Sequence, residues 1–196
     1  MRLEIEMEVA EMKKRLADII LEKSFRFSEE PFTLSSGLKS NYYFDCKKTS
    51  LDPEGMNLIG NIVFDMLKDS AIEAVGGLSL GADPIANSIA LVSFQQGRPI
   101  NPFIVRKDAK GHGTKSRIEG NVKAGDTVAI LDDVVTTGAS TITAIEAARE
   151  AGLVIDRVIV LVDREEGGTE NILKYVARIE PVIRRSEIMK LYRERG

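Results

Sequence analysis

Cysteine is nearly missing from this chain: Cys46 stands alone among 196 residues. One thiol by itself forms neither an internal disulfide nor a metal cluster, so a stapled secreted scaffold is excluded. Cys46 reads as a small buried strand residue, at home in a reducing cytoplasm. Long apolar runs are missing too. None approaches the length of a membrane span, and the opening MRLEIEMEVAEMKKR lacks the unbroken apolar core of a signal peptide. A net charge of −3 leaves no basic excess, which argues against a nucleic-acid partner. Histidine occurs once, as His112. There is no internal repeat, low-complexity tract or interdomain linker. What remains is 43% hydrophobic and 29% charged, enough in 196 residues for one domain with its own core.

Apolar periodicity divides the chain. Residues 2–23 carry Val9, Met12, Leu16, Ile19 and Ile20 at helical spacing, with charges of both signs between them. Residues 32–34 and 42–45 read as short strands around a Ser-Ser-Gly turn, ahead of any regular alternation, so residues 1–50 are expected to form a helix and a small flap. Residues 51–196 then alternate: helix 54–69, strand 72–77, helix 85–94, strand 103–105, strand 128–131, helix 139–151 and strand 158–162. A short helix at 170–175, a strand at 177–183 and a terminal helix from Ser186 close the series. Such alternation predicts an α/β fold with a mainly parallel central sheet flanked by helices. Residues 106–120, RKDAKGHGTKSRIEG, are polar, glycine-rich and long for a connection inside a compact domain.

The chain is organised around residues 127–145, TVAILDDVVTTGASTITAI. A buried strand runs into Asp132 and Asp133, then into a small-residue loop, and a helix starts near Thr137. A strand, a tight loop and a helix N-terminus make an anion site, because free N–H groups and the positive end of the helix dipole face the loop. Thr136, Thr137, Ser140 and Thr141 add hydroxyl donors. Carboxylates beside a phosphate cup repel phosphate, and make sense if the ligand is a sugar phosphate whose ring hydroxyls they accept. The plainer reading is that Asp132 and Asp133 end a strand and cap a helix.

The order of branched apolar residues, two acids, two apolar residues and Thr-Thr-Gly resembles the 5-phosphoribosyl 1-diphosphate (PRPP) motif of the type I phosphoribosyltransferases. The resemblance implies that fold, with a small N-terminal flap or hood. It also implies that Asp132 and Asp133 contact the ribose hydroxyls. The loop Val134, Val135, Thr136, Thr137, Gly138, Ala139 and Ser140 would then hold the 5′-phosphate, with Mg²⁺ carried mainly by PRPP near Asp132 and Asp133.

Taken alone, Arg106, Lys107, Lys110 and His112 are cations of a solvated surface loop. Their arrangement, Arg-Lys-x-x-Lys-x-His-Gly, resembles the catalytic loop of the orotate phosphoribosyltransferase branch of that family. The resemblance implies that these four residues grip the pyrophosphate of PRPP, with Lys110 and His112 serving the leaving oxygen. It further implies that the loop reaches into the neighbouring subunit of a homodimer. The reaction it implies is transfer of the phosphoribosyl group from PRPP to orotate, giving orotidine 5′-monophosphate and pyrophosphate on the route to UMP.

Arg164, after residues 160–163, sits at the carboxyl edge of a strand, where α/β sheets bind ligands. By itself it reads as a surface partner of Glu165 or Glu166. In the orotate branch an Asp-Arg-Glu here binds the base, and a bidentate guanidinium suits orotate's carboxylate and carbonyl oxygens. The resemblance adds Thr136 to the base site, and Tyr43 and Phe44 as stacking aromatics, although strand neighbours face opposite ways and one of them can belong to the core. Two positions depart from the family pattern. Ser35 stands where many relatives have Lys, and the run Leu80-Gly81-Ala82-Asp83 lacks a Lys that many carry near Gly81. The rival readings are a type I enzyme acting on a purine or uracil, a non-catalytic PRPP-sensing regulator, and an anion-binding α/β domain of no particular chemistry.

Overall fold

A computed structural model describes residues 2–33, 39–108 and 117–195. Helix α1 (Arg2–Ile19) passes through one π turn (Ile20–Ser24) into a two-stranded antiparallel flap, β1 (Phe25–Thr33) and β2 (Lys39–Phe44). A short α2 (Lys47–Ser50) precedes α3 (Pro53–Leu67), which starts cleanly. Asp52 accepts a hydrogen bond from the Gly55 N–H at 3.0 Å, and Pro53 supplies a helix-ready φ at the first position.

The main sheet follows: β3 (Ala74–Leu78), α4 (Ala82–Gln95), β4 (Asn101–Val105), β5 (Ile118–Gly120), β6 (Thr127–Val135), α5 (Ala139–Glu150), β7 (Val154–Asp163), α6 (Gly168–Ile172), β8 (Ile179–Arg184) and α7 (Arg185–Arg195). Its order is β5-β4-β3-β6-β7-β8. Every pairing is parallel except β4 with β5. The sheet is therefore mainly parallel, as the alternation predicts. The antiparallel β5 falls within the stretch read as loop, since three residues around one isoleucine carry too little apolar pattern to announce a strand.

Both faces of the sheet are covered, which is why its strands read as near-continuous apolar runs. Ala129 and Leu131 of β6 face the cluster built with α1, α3 and α4, while Val128 and Ile130 face the one built with α5 and α6. Each fully buried Ile or Leu in these clusters stabilises the fold by roughly 1.5–3 kcal/mol. Cys46 is fully buried in the turn after β2 rather than within a strand, and burial pushes its thiol pKa well up, so it stays protonated.

The topology fixes where a ligand goes. From β3 the chain moves outward to β4 and β5, then returns to the other side of β3 and proceeds outward again through β6, β7 and β8. The order reverses between β3 and β6, and the crevice at their carboxyl ends is the binding position of such sheets. The pairing of β3 with β6 ends at Gly76↔Ile130, whereas β6 continues beside β7 to Val135↔Asp163. Beyond Ile130, one edge of β6 therefore opens onto the crevice.

Candidate active site

A cavity of about 440 Å³ occupies that crevice. From β6 and the loop after it come Asp132, Asp133, Val134 and Thr136, from the first turn of α5 Ser140, from just past β7 Arg164, and from the flap Tyr43 and Phe44. Eight of the residues singled out in the sequence thus meet in one place. The strand carries both acids, contrary to the expectation that it stops at Leu131. Ladder bonds to β7 continue past them, and the pleat sends the two carboxylates to different surroundings.

Asp132 is buried. Its Oδ2 accepts hydrogen bonds from Ser140 Oγ at 2.8 Å and Thr141 Oγ1 at 2.5 Å, both in the first turn of α5. Burial pushes its carboxyl pKa up to about 6; the Thr141 hydroxyl works against this, the Asp133 charge adds to it, and the Ser140 hydroxyl again opposes. Asp133 is half-buried and lies flat against the loop after β3. A Cβ on Gly81 would stand 2.4 Å from its Oδ1, so only glycine leaves the carboxylate this room. Oδ1 also accepts the Val134 N–H at 3.1 Å.

The loop beyond β6 turns on Gly138, whose φ of 85° is left-handed backbone that glycine adopts without strain. No side chain caps α5, so its first N–H groups are left for a ligand. Thr137 is fixed from behind, its carbonyl accepting Asn171 Nδ2 at 3.1 Å. Val135 is buried in the core and is not among the residues lining the cavity; its carbonyl accepts the Arg164 N–H at 3.0 Å.

Arg164 does form the ion pair with Glu166 that composition alone suggests, at 3.0 Å, but almost fully buried rather than on the surface. Its Nη2 donates at 3.0 Å to Ser40 Oγ, to the Tyr42 carbonyl and to Glu166 Oε1. Its Nε–H is buried with no partner in the protein. A guanidinium this buried with one donor unspent, beside a cavity, is poised for an anionic or carbonyl oxygen. The Phe44 ring backs it, with centroid 5.8 Å from Arg164 Cζ. Phe44 is otherwise core, tilted against Phe25 at 5.3 Å, while Tyr43 on the opposite face is 41% exposed and packs on Phe32. Strand alternation thus divides the two aromatics between wall and opening.

Arg106 and Lys107 are exposed and are not among the residues lining this cavity. Arg106 Nη1 meets Glu119 Oε1 at 3.3 Å, and Arg117 Nη2 donates to the Lys107 carbonyl at 3.0 Å. Lys110, His112 and Ser35 lie outside the described residues. Four lining residues were not anticipated: Thr33, Leu78, Ser79 and Lys47. Leu78 and Ser79 follow from the switch point once the strand order is known, whereas Lys47 belongs to no recognisable motif.

No protein-family model matches the sequence. The chain is 48% identical over 178 residues to the orotate phosphoribosyltransferase of Aquifex aeolicus (strain VF5), covering 90% of this chain and 97% of that one. Among solved structures it is similar to Mycobacterium tuberculosis H37Rv orotate phosphoribosyltransferase in complex with Fe(III) dicitrate. That likeness has a TM-score of 0.78 at 35% identity, over 90% of this chain and 98% of the other. The same enzyme in complex with PRPP gives a TM-score of 0.73 at 32% identity over the same shares. With the acids, the helix N-terminus and the buried arginine in one crevice, and with this identity across nearly the full length, the chain belongs to the orotate phosphoribosyltransferase family.

Proposed function

We propose that the crevice joins PRPP to orotate, giving orotidine 5′-monophosphate and pyrophosphate, through the residues assembled there. One observation carries the reading: a helix N-terminus, two adjacent carboxylates and a buried arginine with an unpartnered Nε line a single cavity. The N-terminal N–H groups of α5, with Thr136, Thr137 and Ser140, take the 5′-phosphate. Asp133 takes ribose hydroxyls. Asp132, whose Oδ2 already accepts two hydroxyls, holds the turn beneath and offers its other oxygen. Arg164 takes the orotate carboxylate or a carbonyl through Nε, Thr136 reaches the same base, Tyr43 stacks on its ring from the opening, and Phe44 backs the guanidinium.

Breaking the bond at C1 of the ribose builds positive charge on the sugar and negative charge on the departing pyrophosphate. Arg106, Lys107, Lys110 and His112 meet that negative charge, Lys110 foremost because it stays protonated at neutral pH. No protein nucleophile is required, since orotate supplies a ring nitrogen. A closing loop excludes the water that would otherwise attack the same carbon. The loop acts in the neighbouring subunit of a homodimer.

Magnesium fits this donor set as a substrate-borne ion. Asp132 and Asp133 offer the hard oxygens that Mg²⁺ shares with phosphates. Bound with PRPP, it would supply charge neutralisation at the diphosphate. Among the described residues no helix is long and apolar enough to cross a membrane. A buried, protonated Cys46 suits the cytoplasm, where we place the enzyme.

The test is a substrate panel with PRPP and Mg²⁺, assaying nucleotide and pyrophosphate with orotate, uracil, adenine, hypoxanthine and guanine. Turnover with orotate alone is expected. Turnover with a purine or uracil instead would discard the role of Arg164 in base selection.

A further inference from the structure

The acids of the cavity have a counter-charge to which nothing above gives a task. Lys47 opens α2, two residues beyond Asp45, and lines the cavity. Its Nζ stands 3.6 Å from Asp133 Oδ2 and 3.6 Å from Asp45 Oδ1. Both are ion-pair distances longer than a hydrogen bond, so the ammonium leans between two carboxylates without spending its three protons on either. Asp45 Oδ1 is itself buried without a hydrogen-bond partner. The Lys47 side chain is 49% exposed, so an ammonium with donors to spare stays accessible.

Its placement gives it a direction. Asp133 is held from one side by the loop after β3, where Gly81 faces Oδ1, and from the other by Lys47 at Oδ2. With the phosphate end of a sugar phosphate placed at the α5 N-terminus and its ribose at Asp133, the Lys47 ammonium beside Asp133 is left for the charge carried at the ribose C1. The other described cation of the cavity, Arg164, has its Nη2 engaged by Ser40, Tyr42 and Glu166. Apart from Arg164, Lys47 is the one cation among the described residues lining the cavity, where a ligand bearing several negative charges would otherwise meet Asp132 and Asp133.

We propose that Lys47 is a further substrate-positioning residue: it holds Asp133 toward the sugar ring and presents its ammonium to the diphosphate end of PRPP. This rests on the phosphoribosyl-transfer reading above. The charge it meets grows as the diphosphate leaves, so the contact strengthens in the transition state and serves turnover as well as binding.

The experiment compares wild type with Lys47→Met, which keeps the length and loses the charge, and Lys47→Arg, which restores the charge. Steady-state kinetics give KM for PRPP, KM for orotate and kcat; calorimetric titration with inorganic pyrophosphate and with PRPP reads binding; melting temperature reads the fold. Lys47→Met is expected to raise the KM for PRPP about tenfold, the weight of one charge-assisted contact, and to lower kcat and pyrophosphate affinity. Its KM for orotate and its melting temperature stay near wild type, and Lys47→Arg recovers most of the loss. Wild-type PRPP kinetics and pyrophosphate affinity in Lys47→Met would overturn the proposal. So would equal losses in both variants with a lowered melting temperature, since that marks a purely structural lysine. A wild type inert toward orotate would instead count against the functional reading, and the two titrations would still judge Lys47.

Discussion

Gly81 faces Asp133 so closely that a Cβ at position 81 would stand 2.4 Å from the carboxylate. The backbone of Gly81 has φ −60° and ψ −45°, ordinary helical values open to any residue. Gly81→Ala therefore costs the fold nothing through the backbone. What must give is the end of the Asp133 side chain, which the added methyl pushes off its position. The expected result is an unchanged melting temperature with a fall in kcat/KM for PRPP of about tenfold or more, one misplaced charged contact. Wild-type kinetics in this variant would show that the orientation of Asp133 is unimportant to the reaction.

Asp132 sets a pH dependence whose sign is fixed by burial. Its folded pKa of about 6 lies above the ordinary 3.8, so the folded state holds the proton more tightly than the unfolded chain. Stability is highest below about pH 4 and falls, by an amount on the order of 3 kcal/mol, as pH rises from there through 6, because the unfolded chain gives up the proton first. Asp132→Asn keeps an acceptor for Ser140 and Thr141 without the charge. The variant is expected to melt several degrees above wild type at pH 8, the gap closing towards pH 4, while its activity falls. Parallel melting curves for both proteins across that range would remove this account of Asp132.

Arg164 is tested by substitution with lysine. An ammonium cannot serve Ser40, Tyr42, Glu166 and a ligand oxygen with the planar geometry of a guanidinium. Arg164→Lys is expected to lower kcat/KM for orotate by about a hundredfold, while PRPP affinity stays within a few-fold of wild type. An equal fall in PRPP affinity would show that the arginine acts on the whole crevice and not on the base.

Sharing of the active site between subunits is tested by mixing two inactive proteins. Lys110→Ala is expected to lower turnover by about a thousandfold, with orotate binding little changed, as for other groups that act on charge developing in the transition state. Remixed with Asp133→Asn under conditions that exchange subunits, it should regain part of the wild-type rate. No recovery after verified exchange would confine each site to one chain.

Much of the fold was legible because parallel strands covered on both faces carry runs such as residues 128–131, while the helix start at Asp52-Pro53 emerged only with the structure. The acids, Thr136, Ser140 and Arg164 were legible for a related reason: the strand, loop and helix that hold them are contiguous or follow a strand end. What could not be read depends on partners distant in sequence. The burial of Arg164 comes from Ser40 and Tyr42, more than a hundred residues earlier in the chain. The need for glycine at 81 is set by Asp133 across the crevice, and the place of Lys47 by the same carboxylate, 3.6 Å from its Nζ. β5 was missed because its pairing with β4 supplies the order that its own three residues do not encode.

The flap also has a second floor. Tyr192 of α7 packs at 5.3 Å on Phe25 and 5.9 Å on Phe27 of β1, and Arg185, at the start of that helix, reaches Glu166, the carboxylate that holds Arg164. Glu165 fastens the same helix, its carboxylate accepting the Ser186 N–H at 2.8 Å. The last helix thus grips Arg164, to which we assign the base, by two routes, through the flap above it and through the carboxylate beside it. Damage to its outermost turns, far from any reacting atom, would surface as a loosened hold on orotate, and a bulky fusion near Tyr192 would be a poor choice for anyone measuring base affinity.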